Sequence, residues 1–98
     1  MPPTTAQCRA THTGALVTMA LDLMAIDPPA LAERLRVPAH LLRVAREIPR
    51  LLPNRARLRL ANLAGATPNL APLACELRRR TLATLSRNTG ASPSERGR

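Results

Sequence analysis

Apolar residues recur at helical spacing along most of this chain, and proline, glycine or a capping residue falls wherever the spacing breaks. From Thr13 to Ile26, Leu16, Met19, Ala20, Leu23 and Met24 follow the i, i+3, i+4, i+7 pattern and predict one helix. Two shorter helices are predicted over 28–36 and 39–47, with Leu31, Leu35, Val37, Leu42 and Ala45 turned inward. Ala32 is the small residue suited to the place where those two helices cross. Asp27 can cap the first of them, Pro28 and Pro29 suit its first turn, and Pro38 can open the second. Pro49 and Pro53 bracket a connector that cannot continue a helix. Asn54 then caps a helix from Arg55 to Ala64 that ends at Gly65, with Leu60, Leu63 and Ala64 inward and Arg55, Arg59 and Asn62 on the opposite side. A last helix is predicted from Leu70 or Pro72 to Arg87, and its apolar phase shifts between Leu70, Leu73, Leu77 and Leu82, Leu85.

Helical spacing runs through most of the chain, so the expected fold is all-α: a small helix-turn-helix domain of four to five helices with disordered termini. The expected organisation is a flexible arm over 1–11, the helix-turn-helix domain over 12–65, a C-terminal helix over 66–87 and a disordered basic tail over 88–98. Hydrophobic residues make up 45% of the 98, yet Phe, Tyr and Trp are absent. Leu and Ala must therefore fill the core, and such a core is soft unless well packed or completed by a second subunit.

Charge changes the picture. The net charge is +9, and all fifteen basic residues are Arg. Codon bias in a GC-rich genome accounts for Arg in place of Lys, but not for the excess. The excess is also uneven: residues 1–32 hold Arg9 against Asp22 and Asp27, and the other fourteen arginines lie in residues 33–98 against Glu33, Glu47, Glu76 and Glu95. A field concentrated in that way favours a polyanion or an anionic membrane surface.

The segment AERLRVPAHLLRVARE, Ala32 to Glu47, resembles the helix-turn-helix of Cro/C1-type, phage-repressor-like regulators. Leu31, Ala32, Glu33, Arg34, Leu35 and Val37 match that family's pattern, and Leu42 and Ala45 are acceptable core replacements. The lead-in MAIDPPALAERL is similar to the family's approach to its second helix. Leu52 to Gly65 is similar to the helix that follows, one residue out of step. The resemblance covers roughly residues 14–65. It departs at Arg36, which stands where the family has a glycine, at a position that favours a positive φ.

The resemblance implies a DNA-binding transcriptional regulator, a repressor by occupancy in the simplest case, binding double-stranded DNA as a homodimer on paired half-sites. Helical geometry then turns Ala39, His40, Arg43, Val44 and Glu47 toward the groove. Arg43 has the paired donors that suit a guanine, His40 can donate to a base or a phosphate, and Ala39 or Val44 can meet a thymine methyl. Glu47 can accept from cytosine or orient Arg43. Arg34, Arg36, Arg50, Arg55 and Arg57 flank that helix and are the candidate phosphate contacts, which fix affinity and register without reading sequence.

Arg78, Arg79 and Arg80 point in different directions on a helix. They suit the basic rim of a dimerisation helix, a second phosphate-binding edge, or a solvated helix end.

Other chemistry is weakly signalled. Cys8, His12, His40 and Cys75 lack metal-ligand spacing, and no cofactor is expected. There is no phosphate loop and no nucleophile motif, so no enzymatic activity is expected. Two distant cysteines suit free thiols in a reducing cytoplasm. The run Ala15 to Ile26, broken by Asp22, is too short to span a membrane. The competing reading is a helical protein-interaction module, adaptor- or antitoxin-like, completed by a partner protein without DNA binding.

Overall fold

The computed structural model describes residues 4–90, and all of its regular structure is helical. Six α-helices follow in order: α1 (Thr5–Ala10), α2 (Thr13–Leu23), α3 (Pro28–Leu35), α4 (Ala39–Glu47), α5 (Asn54–Gly65) and α6 (Ala71–Gly90). Single 3-10 turns occupy Pro49–Leu51 and Pro68–Leu70, where proline interrupts the α-helical ladder. The tail expected to be disordered over 88–98 begins inside α6, which runs on to Gly90 because the helical ladder does not stop at Arg87, and its remainder, 91–98, lies outside the described residues.

The helix starts explain themselves unevenly. Thr4 and Gln7 form a reciprocal capping box at α1 (2.9 and 3.1 Å). His12 Nδ1 accepts from the Ala15 amide at the start of α2 (3.4 Å), which gives one of the four scattered metal-ligand types a structural task. Asp27 holds the cap position of α3, but its carboxylate makes no capping bond. At α5 the cap position belongs to Pro53, and Asn54 is the first helical residue, so the expected Asn54 cap does not form. Pro38 likewise precedes α4 as its cap residue.

The core is leucine and alanine, as the composition requires. Leu16, Leu21, Leu31, Leu35, Leu42, Leu52, Leu60, Leu73 and Leu77 are its largest fully buried apolar side chains. Ala20, Ala32, Ala45, Ala56, Ala61 and Ala64 are buried in the same cluster. All the inward positions expected for α3 and α4 are buried, apart from Val37, which is partly buried against the core. The phase of α2 differs from expectation: Val17 and Leu21 are buried, while Leu23 is exposed. From Leu70 in the preceding 3-10 turn, the buried apolar line continues along α6 through Leu73, Ala74 and Leu77 to Thr81, and Leu82 faces solvent. Thr81 is tolerated inside because its hydroxyl donates to the Leu77 carbonyl (2.7 Å).

α5 and α6 make the most extensive helix–helix contact, and α6 also packs on α1 and α2. The expected flexible arm, residues 1–11, instead contains α1. Its Cys8 is fully buried, and its C-terminal carbonyls are taken up by a side chain from α6. That side chain is Arg80. Its guanidinium donates to the carbonyls of Cys8 (3.1 Å), Arg9 (2.6 Å) and Thr11, and its Nε donates to Glu76 (2.7 Å). A guanidinium there suits the negative end of a helix.

Candidate nucleic-acid interface

α3, the turn and α4 form the unit that the sequence singles out. α3 ends in a left-handed cap. The Val37 amide donates to the Ala32 carbonyl (3.0 Å) and the Arg36 amide to the Glu33 carbonyl (3.1 Å), closing the last turn as a Schellman motif. Arg36 sits at its left-handed position, with φ 59° and ψ 45°. No other non-glycine residue among those described has a positive φ. A residue with a Cβ is strained in this region by about 1 kcal/mol or more. We therefore expect Arg36→Gly to stabilise the fold by about 0.5–1 kcal/mol, after the greater flexibility of glycine in the unfolded chain is subtracted. A thermal melt checks this, and a lower midpoint in the variant would contradict it.

α4 is held by a narrow face. Leu42 and Ala45 are buried, Leu41 is half-buried, and every other residue of the helix is exposed. Ala39, His40, Arg43, Val44 and Glu47 all lie on the solvent side, together with Arg46. The structure thus brings the five candidate base-reading residues onto one open helix surface. Neither His40 nor Glu47 forms an ion pair there.

α5 braces α4 at both ends. The Arg57 guanidinium donates to the Pro49 carbonyl (3.1 Å), just beyond α4. Arg59 donates to the Leu35 carbonyl (3.5 Å), at the turn just before it. Two side chains from one helix therefore fix the connectors on either side of the exposed helix. This changes the reading of Arg57. It was a candidate phosphate contact, but it is half-buried, its Nε is enclosed without a partner, and burial lowers its pKa. A side chain committed to an internal carbonyl is poorly placed to reach a phosphate. The sequence offered no signal for this role, because the acceptors are backbone carbonyls exposed by helix ends.

Arg9 on α1 is exposed without a described partner, and the remaining arginines divide by position. Arg34, Arg36, Arg43, Arg46, Arg50 and Arg55 are exposed, and none is engaged by a described side chain or carbonyl. All six lie between the end of α3 and the start of α5. In contrast, the Arg78–Arg80 run is spent on structure. Arg78 donates to Asn62 on α5, Arg79 pairs with Glu76, and Arg80 grips α1. Arg87 donates to Thr84 (3.3 Å) on its own helix. None of the three readings open for the triplet included the partners within the domain that the geometry shows.

Potential metal ligands stay apart. Cys8 is buried, Cys75 is exposed on α6, and no three His, Cys, Asp or Glu side chains converge among the described residues. No helix among them is long and apolar enough to cross a membrane. No family model, curated protein or solved structure matches the chain.

Proposed function

We propose that this chain is a sequence-specific DNA-binding regulator that inserts α4 into the major groove, acting as a repressor by occupying its site. One observation carries the reading. Apart from Arg9 on α1, the guanidiniums without a partner among the described residues all lie from the last turn of α3 to the first turn of α5, the span that holds α4, while those of Arg57, Arg59, Arg78, Arg79, Arg80 and Arg87 are engaged within the domain. An α-helix fits the major groove, and unpaired arginines beside it supply phosphate affinity. Arg43 is the guanine reader, with Ala39, His40, Val44 and Glu47 beside it. Arg34, Arg36, Arg50 and Arg55 remain the phosphate contacts. Binding as a homodimer would place two copies of α4 about one turn of duplex apart, roughly 34 Å.

Selection from a random duplex pool at near-physiological salt tests this, and an enriched inverted repeat is the expected result. Arg43→Ala is expected to lower discrimination at one base pair by about 1–3 kcal/mol. Arg55→Ala should weaken all duplexes alike. Equal loss of specific and non-specific binding in both variants would remove Arg43 as a reader.

The second reading, a protein-interaction module, is favoured by Val44 (39% exposed), Ile48 (39%) and Leu51 (42%), apolar residues that follow one another along α4 and its connector. Failure to retain any duplex would select it.

A further inference from the structure

A groove of about 210 Å³ lies between the start of α3 and the flank of α4. Its lining is Pro28, Pro29, Ala39, Leu42, Arg43 and Arg46. The floor and one wall are apolar, and the only charged groups that line it are two guanidiniums without a carboxylate partner. Ala39, Leu42 and Arg46 are spaced i, i+3, i+7, so Arg46 belongs to the groove side of α4. Arg43 stands at the border between that side and the open face carrying His40 and Glu47.

We propose that this groove seats a backbone phosphodiester of duplex DNA, with Arg46 as the residue that grips it and the sugar lying against Pro28 and Pro29. The inference rests on the DNA-binding reading and extends it to Arg46, a residue outside the five base-reading and the five phosphate candidates, in a cleft whose rim Ala39 and Arg43 share. Charge complementarity selects the occupant: a site with an apolar floor and two cations suits a group that is anionic on one side and carbon-rich on the other. A guanidinium offers a phosphate two parallel donors. The helix start itself contributes little, because Pro28 and Pro29 occupy the first turn of α3 and lack amide protons. The grip therefore falls to the side chain. Asp27 sits at the same helix start, exposed and without a capping bond, and its charge opposes an anion there.

The test is the salt dependence of binding to a random-sequence duplex, for the unaltered protein, Arg46→Ala, Arg46→Lys and Arg87→Ala. Losing one phosphate contact flattens the slope of log affinity against log salt by about 0.9. Between 50 and 200 mM salt, that makes the loss of affinity about 3.5-fold smaller in Arg46→Ala. Arg46→Lys should restore the slope, and Arg87→Ala, which lies on α6 away from the groove, should leave it unchanged. An unaltered slope in Arg46→Ala, with the unsubstituted protein binding duplex, overturns the groove and leaves the DNA-binding reading standing. No duplex binding by the unsubstituted protein at any salt overturns both.

Discussion

Leu42→Ala is expected to lower the stability of the folded protein by about 2–5 kcal/mol and to detach α4. Leu42 is the only large side chain that α4 buries completely, and Ala45 beside it has little surface to contribute. Removing three carbons from this position loses their transfer free energy and leaves a void. The surrounding leucines and alanines include no aromatic ring broad enough to close over it. A domain of this size has only about 5–15 kcal/mol of stability in total, so the loss is a large share of it. The expected fall in melting temperature is about 10–25 °C. The control is Val44→Ala on the exposed side of the same helix, which should shift stability by under about 1 kcal/mol. A Leu42→Ala melt within 5 °C or so of the parent would mean that α4 is held by something other than its apolar anchor.

Arg80→Ala should cost about 2–4 kcal/mol and release α1 from α6. The substitution leaves the carbonyls of Cys8, Arg9 and Thr11 without their donor and deprives the buried Glu76 of one of its two cations. The two free cysteines report the result directly. In the unaltered protein Cys75 is exposed and Cys8 is fully buried, with its thiol pKa pushed up first by burial and then by the Glu76 charge. A thiol reagent should therefore modify one cysteine fast and one slowly. In Arg80→Ala both should react fast. A slow second thiol in the variant would show that α1 docks without this guanidinium.

The same network sets a pH dependence. Hydrogen bonds from Arg79 and Arg80 lower the Glu76 pKa from 4.5 to about 2. The folded state thus binds the proton less readily than the unfolded chain does. The stabilisation is complete above about pH 4.5 and is lost as the pH falls through that value toward 2. The amount is roughly 1–3 kcal/mol, since water screens the exposed Arg79 side of the network. Denaturation midpoints measured from pH 6 to 2 should fall for the parent and change less for Glu76→Gln.

Much of this was written in local pattern. Helical spacing and the prolines located α2 through α6 to within a few residues, because an apolar stripe and a missing amide act within a single helix. The inward set of α3 and α4 was legible for the same reason, whereas the left-handed backbone at Arg36 was legible only through the resemblance, which puts a glycine at that position. The open surface of α4 followed from the same geometry, since seven of its nine residues remained after Leu42 and Ala45 were assigned inward, and all of these but Leu41 are exposed.

The sequence by itself determined that the chain is helical, where its helices break, that leucine and alanine fill its core, and that its positive charge lies beyond residue 33. Only the tertiary structure decided which arginines are free. Arg57, Arg59 and Arg80 look like any other surface cations in the sequence, yet each donates to a backbone carbonyl on another element. Those acceptors exist only because a helix ends nearby, and the pairs are separated by 8, 24 and 72 positions along the chain. The docking of α1, and the choice of Leu21 and Thr81 over Leu23 and Leu82 for the interior, belong to the same class. A helix of this composition presents more than one plausible apolar face, and it is the neighbouring helices that select which face is buried.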